Sequence, residues 1–173
     1  MRHRKAHPLP TNDYERMVIA NVDRYGWHCT SVSGGPGDGG PEFAYTVGLF
    51  HSYRQPEFIV FGLDPGIAHA ILGILAAAAA ADGMYVLDKP CDALVENYEC
   101  VFVEVPRARL GDYVFSASWF YAGRVFPLYQ VVWPDREGRY PWNEGATPDP
   151  RHEQPVLALE PLMTHPRATY RRH

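Results

Sequence analysis

Residues 43–63 read FAYTVGLFHSYRQPEFIVFGL, two apolar runs joined by a more polar turn. The first run, Phe43–Leu49, is rich in β-branched and aromatic residues, as is the earlier stretch Trp27–Ser33 (WHCTSVS). The glycine- and proline-rich segment between these two stretches indicates a hairpin with a wide connection. The second run, Phe58–Leu63, is continuously apolar over the length of a strand, which predicts a central strand covered on both faces.

A helix is predicted before the hairpin. Asn12 and Glu15 have the spacing of a capping box, and Gly26 stands where a C-terminal glycine cap belongs. The residues that fall on one face at helical spacing are Tyr14, Met17, Val18, Val22 and Tyr25.

A second, alanine-rich helix is predicted after the central strand. Asp64 and Pro65 suit its N-cap and first position, and Gly83 suits its end. Its predicted buried stripe consists of Ile67, Ala68, Ile71, Leu72 and Leu75. Six consecutive alanines, 76–81, permit a close approach to the surface that the helix covers.

Three further strands are predicted, at Met84–Leu87, Cys100–Val105 and Leu128–Trp133. Segment Asp112–Ala122 fits the helical and strand periods about equally, and Gly123 as a C-cap favours a helix. About six strands and two or three helices do not alternate strictly, which favours an α+β fold over a doubly wound one. We therefore predict a mixed or mostly antiparallel sheet, or a split barrel, with the N-terminal and alanine-rich helices packed on it.

Charge separates the ends of the chain from its body. Six of the 16 Lys and Arg residues lie in the polar segments 1–10 and 166–173, which are predicted to be flexible basic tails. All 20 Asp and Glu residues lie between Asp13 and Glu160, so the single domain predicted at 11–165 has 10 basic against 20 acidic groups. An acidic body repels a phosphate backbone, so no nucleic acid partner is expected.

The chain has three cysteines, Cys29, Cys91 and Cys100. Their odd number and the lack of a CxxC spacing indicate neither a disulfide framework nor a structural zinc site. No apolar stretch of a secretory signal follows the basic N-terminus. The most apolar segment, Ile67–Ala81, contains His69 and Gly73 and falls short of a spanning segment. We expect a cytoplasmic protein without a membrane partner.

Neither the glycine-rich motif nor the histidines of this sequence predict a dinucleotide or metal site. Gly35–Gly40 (GPGDGG) satisfies GxGxxG, but a dinucleotide loop opens a helix, whereas Pro41 and Glu42 here lead into a strand. It is interpreted as the hairpin loop. The histidines of the predicted ordered body are His28, His51 and His69. Their separation does not indicate a cluster, so no metal site is predicted.

Glu57 stands immediately ahead of the central strand. Burial at a strand end raises the pKa of a carboxyl group and suits it to act as a general base. The alternative is a structural partner of Arg54 or of a backbone amide. Glu57 and His51 are the two catalytic candidates.

Aromatic residues concentrate between Trp119 and Trp142, interrupted by prolines. Such planar side chains stack on flat ligands or anchor a protein partner, and they also fill cores. We expect a binding module with an aromatic-lined cleft for a small planar ligand or a protein partner. The predicted ligand-binding residues are Tyr45, Thr46, His51 and Glu57 on one side, and Trp119, Tyr121, Trp133 and Trp142 on the other.

Several runs keep the order and spacing of a known family: 25–27 (YGW), 43–49 (FAYTVGL), 55–63 (QPEFIVFGL), 133–135 (WPD) and 138–142 (GRYPW). Over about residues 14–160 the chain resembles the bacterial Domain of Unknown Function 4262. Gln55 departs from the pattern, since a histidine often precedes the proline–glutamate pair, and any role of that histidine would be absent here. The resemblance implies kinship without an activity.

A second resemblance concerns layout. A strand ending in the Thr-containing turn Tyr45–Leu49, a loop with Pro56, an apolar strand and a helix are similar to the opening of flavin-reductase-like split barrels. The resemblance implies a bound flavin against the turn and loop, although only Arg54 lies near to hold its phosphate. A small flavin- or nucleotide-dependent enzyme is therefore one alternative function. An interaction protein of a bacterial stress, defence or biosynthetic operon is another.

Few cations are available to hold an anionic ligand in this acidic body. The candidates near the predicted cleft are Arg54, Arg124, Arg136 and Arg139. Neutral, aromatic or cationic ligands, or a protein surface, are correspondingly favoured.

Overall fold

The computed structural model describes residues 7–34, 40–146 and 154–159. These residues form six strands and five helices. The strands are β1 (His28–Val32), β2 (Phe43–Val47), β3 (Glu57–Phe61), β4 (Cys91–Val95), β5 (Tyr98–Glu104) and β6 (Leu128–Val132). The helices are α1 (Asp13–Tyr25), α2 (Leu49–Tyr53), α3 (Pro65–Ala80), α4 (Arg107–Tyr113) and α5 (Phe115–Phe120).

The six strands form one sheet in the order β1-β2-β3-β6-β5-β4. Neighbouring strands are antiparallel except β3 and β6, which run parallel with Glu57 opposite Leu128. The outer strands β1 and β4 do not pair, so the sheet is open. The predicted α+β fold with a mixed, mostly antiparallel sheet is confirmed, and the split-barrel alternative is wrong.

Helices cover both faces of the sheet. Side chains alternate along a strand, so Phe43 and Tyr45 of β2 pack with α1, α4 and α5, whereas Ala44 packs with α3. Every residue of β3 is buried. The predicted central strand, covered on both faces, is therefore confirmed, as is the hairpin of β1 and β2.

Helix α1 begins and ends where its caps predict. The Asn12 side chain accepts a hydrogen bond from the Glu15 amide, and Gly26 has φ 87° with its amide donating to Val22. The predicted apolar face is only partly buried. Val18 and Val22 are buried, whereas the other three residues are exposed: Tyr14, Met17 and Tyr25. The helix covers the sheet by a narrower stripe than its sequence suggests.

Helix α3 is capped by Asp64, whose side chain accepts from the Gly66 amide. Its buried stripe matches the prediction except for Ile67, which is exposed, and it extends to Ala76 and Ala79. These alanines pack against the sheet. The helix ends at Ala80 rather than at Gly83, because Asp82 adopts a positive φ of 55°.

The strand predicted at Met84–Leu87 is wrong, and β4 takes the outer position instead. β4 joins β5 through a two-residue turn, with Val95 opposite Tyr98. Asn97, in that turn, has a positive φ of 66°. Hairpin turns of this kind set the register of the strands that they join, so the turn fixes β4 and leaves the preceding segment unpaired.

One helix is favoured for Asp112–Ala122, but the segment contains α5 and the last two residues of α4. Val114 separates the two, with φ −99° and ψ 60°, outside the helical region. The C-cap is Tyr121, not Gly123. Helices α2 and α4 were not predicted; α2 is only five residues long, too short for a periodic pattern.

Among the described residues, no helix combines the length and hydrophobicity needed to cross a bilayer. The predicted tail 166–173 and residues 1–6 of the other lie outside the described residues, as does most of the glycine-rich loop.

Candidate functional site

Glu57 is fully buried at the start of β3 and accepts four hydrogen bonds. Its Oε1 accepts from the Gly48 amide at 2.8 Å, from the Phe50 amide at 3.3 Å and from the Tyr121 hydroxyl. Its Oε2 accepts from the Thr46 hydroxyl at 2.5 Å. Within the described ranges no lysine or arginine forms an ion pair with it.

The local chain explains how the carboxyl group finds these donors. β2 ends at Val47, Gly48 turns the backbone, and α2 begins at once. The first amides of a helix lack partners within the helix, and Gly48 has no side chain to cap them. The Glu57 carboxyl takes that role, while Thr46 Oγ1 also accepts from the Phe58 amide at 2.9 Å. One side chain thus connects β2, α2, β3 and α5.

Burial without a cation raises the pKa of the Glu57 carboxyl above its ordinary value, and its hydrogen bonds act in the opposite direction. Burial, and then the neighbouring Glu57, raise the pKa of the Tyr121 hydroxyl, which therefore stays a protonated donor. The direction for Glu57 agrees with the expectation from its strand-end position. Its role as a general base stays a prediction.

Two arginines flank the aromatic rings beside this carboxyl. The Arg54 guanidinium carbon lies 5.4 Å from the centre of the Phe50 ring, and that of Arg124 lies 5.8 Å from the Tyr121 ring. The two rings are themselves 6.1 Å apart, edge to face. We call these four residues the arginine–aromatic rim. The contacts are of the cation–π type.

Neither rim arginine forms an ion pair with a residue that the structure describes. Arg124 donates from Nε to the Tyr121 carbonyl at 2.9 Å, but its buried Nη2 has no acceptor there. Arg139, by contrast, pairs with Asp135 and Glu137. Buried polar groups are normally hydrogen-bonded, so Nη2 of Arg124 is an exception that calls for an acceptor.

His51, the second catalytic candidate, lies next to the rim. Its amide donates to the Tyr121 hydroxyl at 3.2 Å, and its ring packs edge-on against Phe120 at 5.4 Å. His7, from the segment predicted as a tail, lies 6.3 Å from the same Phe120 ring. Two half-buried histidines therefore pack against Phe120, whose ring contacts Tyr121 of the rim edge to face.

The structure brings together only part of the predicted cleft. Thr46, His51, Glu57 and Tyr121 meet at one end of β3, as described above. Trp133 and Trp142 do not join them, whereas Tyr45 and Trp119 pack in or against the core cluster that also contains Tyr121.

Contacts explain where these four residues lie. The Tyr45 hydroxyl accepts from the Ser116 amide, and Trp119 packs beside the core under α1. Trp133 donates from its indole to the Phe61 carbonyl at 2.8 Å, at the opposite end of β3. Trp142 is exposed and stacks on Tyr140. Their ligand-binding role stays a prediction.

A surface cavity of about 190 Å³ lies at the opposite end of the sheet from Glu57, between the β1–β2 hairpin and α3. The polar residues that line it are Ser31, Ser33 and Glu42. Pockets for drug-sized ligands usually have about 300–1,000 Å³. This cavity is therefore smaller than a typical site for a drug-sized ligand.

His28 is buried between α1 and β1. Its Nε2 lies 3.1 Å from the Tyr14 hydroxyl, which in turn bonds to Thr30 Oγ1. Its Nδ1 lies 3.0 Å from the side-chain nitrogen Nδ2 of Asn21. Burial lowers the pKa of His28. Across the described residues no group of three His, Cys, Asp or Glu side chains is placed to hold a metal ion.

We expect the protein to lose stability on acidification through His28. A histidine whose pKa is lowered by folding adds stability that is present above its unfolded value of about 6.5 and is lost as the pH falls below it. Replacement by glutamine should flatten this dependence between pH 7 and pH 5, measured by urea unfolding. The exposed His69 provides the control variant, His69→Gln, and an unchanged slope in His28→Gln would contradict the assignment.

The alternative in which a backbone amide is the partner of Glu57 agrees with the bonds from the Gly48 and Phe50 amides. Sequence reasoning did not identify which amides these are, and it missed the ring of Phe50. The available signal was the run TVGLF, 46–50, in which a glycine between a strand and a short helix leaves helix amides uncapped.

Comparison with known proteins gives one family. A model of a domain of unknown function, DUF4262, matches residues 21–147. No curated protein and no solved structure matches the chain.

Proposed function

Because the chain belongs to the DUF4262 family, whose description assigns no activity, we propose a function from the site itself: a binding module for a small planar ligand that carries a negative charge. The observation that supports it most is the arginine–aromatic rim, in which Arg54 and Arg124 lie over rings without an ion pair in the described chain.

Charge favours this ligand class over an uncharged one. The body has twice as many acidic as basic groups, yet neither Arg54 nor Arg124 pairs with a carboxylate of the described ranges. Arg124 also keeps a buried Nη2 without an acceptor there. An oxygen of a carboxylate or phosphate group satisfies such a guanidinium. The local charge at the rim therefore favours an anionic ligand, whereas the overall composition favours neutral, aromatic or cationic ones.

Shape favours a planar ligand. Phe50 and His51 are half-buried beside the exposed Arg54, and rings and guanidinium planes stack on flat molecules. A protonated Glu57 carboxyl carries no charge and does not repel an anion. Burial raises its pKa, which favours the protonated form. In this proposal Glu57 positions Tyr121 and α2, and the rim contacts the ligand.

The test is a calorimetric titration with phenyl phosphate, compared with phenol and with inorganic phosphate. We expect phenyl phosphate to bind most tightly, because it alone offers both the ring and the charge. Arg124→Gln should weaken its binding about tenfold, or about 1.4 kcal/mol, with Arg54→Gln in the same direction. Arg136→Gln is the matched control, because the exposed Arg136 follows Trp133, which lies at the opposite end of β3 from the rim.

Three results would contradict the proposal: no binding of phenyl phosphate, equal binding of phenol, or equal weakening in the Arg136 variant. Flavin mononucleotide, which also joins a planar ring to a phosphate, is a second probe. Its binding together with a flavin spectrum of the freshly purified protein would favour the flavin enzyme instead.

A further inference from the structure

Cys91 and Cys100 lie opposite each other in the antiparallel pair of β4 and β5, next to a bulge in β4. Opposite residues of such a pair have Cα atoms about 4.5–5.5 Å apart and side chains on the same face. A disulfide needs Cα atoms about 4.4–6.8 Å apart. Both residues are free thiols, and both lie in the cluster that packs against α3. The pairing of the two strands is therefore compatible with the spacing that a disulfide needs.

We propose that this strand pair is an oxidation site, at which hydrogen peroxide converts Cys91 and Cys100 into a cross-strand disulfide. A cavity of about 100 Å³ has room for the oxidant, and it is lined by the neighbours of the two cysteines rather than by the cysteines themselves. Its lining comes from residues that flank both cysteines along the chain: Leu87, Asp88, Lys89, Pro90, Val101 and Phe102. Hydrogen peroxide is little larger than water, for which a much smaller space suffices.

The order of the two steps follows from the exposure of the thiols. Cys91 keeps 6% of its surface exposed, whereas Cys100 has none. Burial and the neighbouring Cys91 raise the pKa of Cys100 to about 12, so Cys100 remains a thiol. Cys91 is therefore the residue that meets peroxide first.

In the first step the Cys91 sulfur attacks one peroxide oxygen and the O–O bond breaks. A sulfenic acid forms, and the other oxygen leaves as water with the Cys91 proton. In the second step the Cys100 sulfur attacks the Cys91 sulfur, the S–O bond breaks, and the Cys100 proton leaves with a second water. The two sulfurs lose two electrons in total, and one peroxide is reduced to two waters.

The disulfide would attach β4 covalently to the sheet. β4 is an outer strand whose neighbour in the described sheet is β5, and the new bond would join these two strands. Cys29 lies on β1, at the other edge of the sheet, so it cannot join the same bond. It serves as the internal control for general oxidation.

The experiment treats the native full chain with hydrogen peroxide, blocks the remaining thiols with N-ethylmaleimide in denaturant, and maps the peptides without reduction. Cleavage after Glu96 and Glu99 separates the two cysteines. We expect peptide 100–104 to remain linked to the peptide that contains Cys91 and ends at residue 96. Cys29 should not be linked to either peptide, because it lies at the other edge of the sheet.

Variants sharpen the result. Cys29→Ser should keep the link and Cys91→Ser should abolish it; if Cys91→Ser does not fold, the wild-type peptide map decides alone. The proposal fails if each cysteine oxidises separately to a sulfinic or sulfonic acid. It also fails if the link involves Cys29 or a second molecule, or forms only after unfolding. None of these outcomes bears on ligand binding at the rim.

Discussion

Replacement of Glu57 by leucine is expected to lower the free energy of unfolding by about 4 kcal/mol, among the largest effects of any single substitution in this protein. The leucine side chain accepts no hydrogen bond, so the Gly48 and Phe50 amides and the Tyr121 hydroxyl lose their shared acceptor. Each buried donor without a partner costs about 1–3 kcal/mol. Urea unfolding followed by circular dichroism measures the loss.

Glutamine at the same position should cost far less, about 1 kcal/mol. Its amide oxygen replaces Oε1 and keeps three of the four hydrogen bonds, and its amide nitrogen can donate to Thr46 Oγ1. Glutamine thereby imitates the protonated carboxyl. The control is Glu104→Leu at the exposed end of β5, expected to change stability by less than about 0.5 kcal/mol.

The pH dependence separates the two protonation states of Glu57. A carboxyl whose pKa is raised by folding adds stability that is present below its unfolded value, here about 4.5, and is lost as the pH rises through the folded value. Wild type should therefore lose stability relative to Glu57→Gln as the pH increases above about 4.5. If wild type instead gained stability relative to Glu57→Gln as the pH increased, the site would stabilise the carboxylate, and the raised pKa of Glu57 would be wrong.

The parts of the fold that the sequence predicts are those fixed by local chemistry. The cap residues Asn12 and Gly26 fix the ends of α1, and the apolar run of β3 requires burial on both sides. The position of β4 depends instead on a turn at Asn97 and on pairing with β5. The four apolar residues 84–87 have the composition of a strand, but β4 is the strand that pairs with β5. This choice of partner cannot be predicted from the residues themselves.

The site follows the same division. The burial of Glu57 could be predicted from its place before β3, but its donors come from residues 46–50 and, 64 positions away, from Tyr121. Gln130 shows the same limit: a polar residue inside a strand, it is buried and bonds to Pro155 and Leu157 across the core. Such contacts depend on how β6 lies beside distant segments, which one chain's pattern does not encode.

The second large effect is expected at Gly48, where alanine should lower the free energy of unfolding by about 3 kcal/mol. Gly48 has φ 107°, a conformation that L side chains rarely adopt. A Cβ atom there would also lie 2.8 Å from Val22 Cγ2 and 3.2 Å from the Gly26 carbonyl oxygen. The substitution therefore strains the turn and pushes it away from α1, which pulls the Gly48 amide from Glu57.

A double-mutant cycle separates these two costs. Val22→Ala removes the methyl groups that the new Cβ would meet, so Gly48→Ala should cost about 1 kcal/mol less in that background, while the cost of the positive φ remains. Gly73→Ala is the matched control, because Gly73 lies inside α3 with open space around it, where alanine is expected to be neutral or stabilising. If Gly48→Ala cost no more than Gly73→Ala, the turn would be able to adapt. In that case, the packing of Gly48 against α1 and its hydrogen bond to Glu57 would not determine the orientation of α2 and the rim.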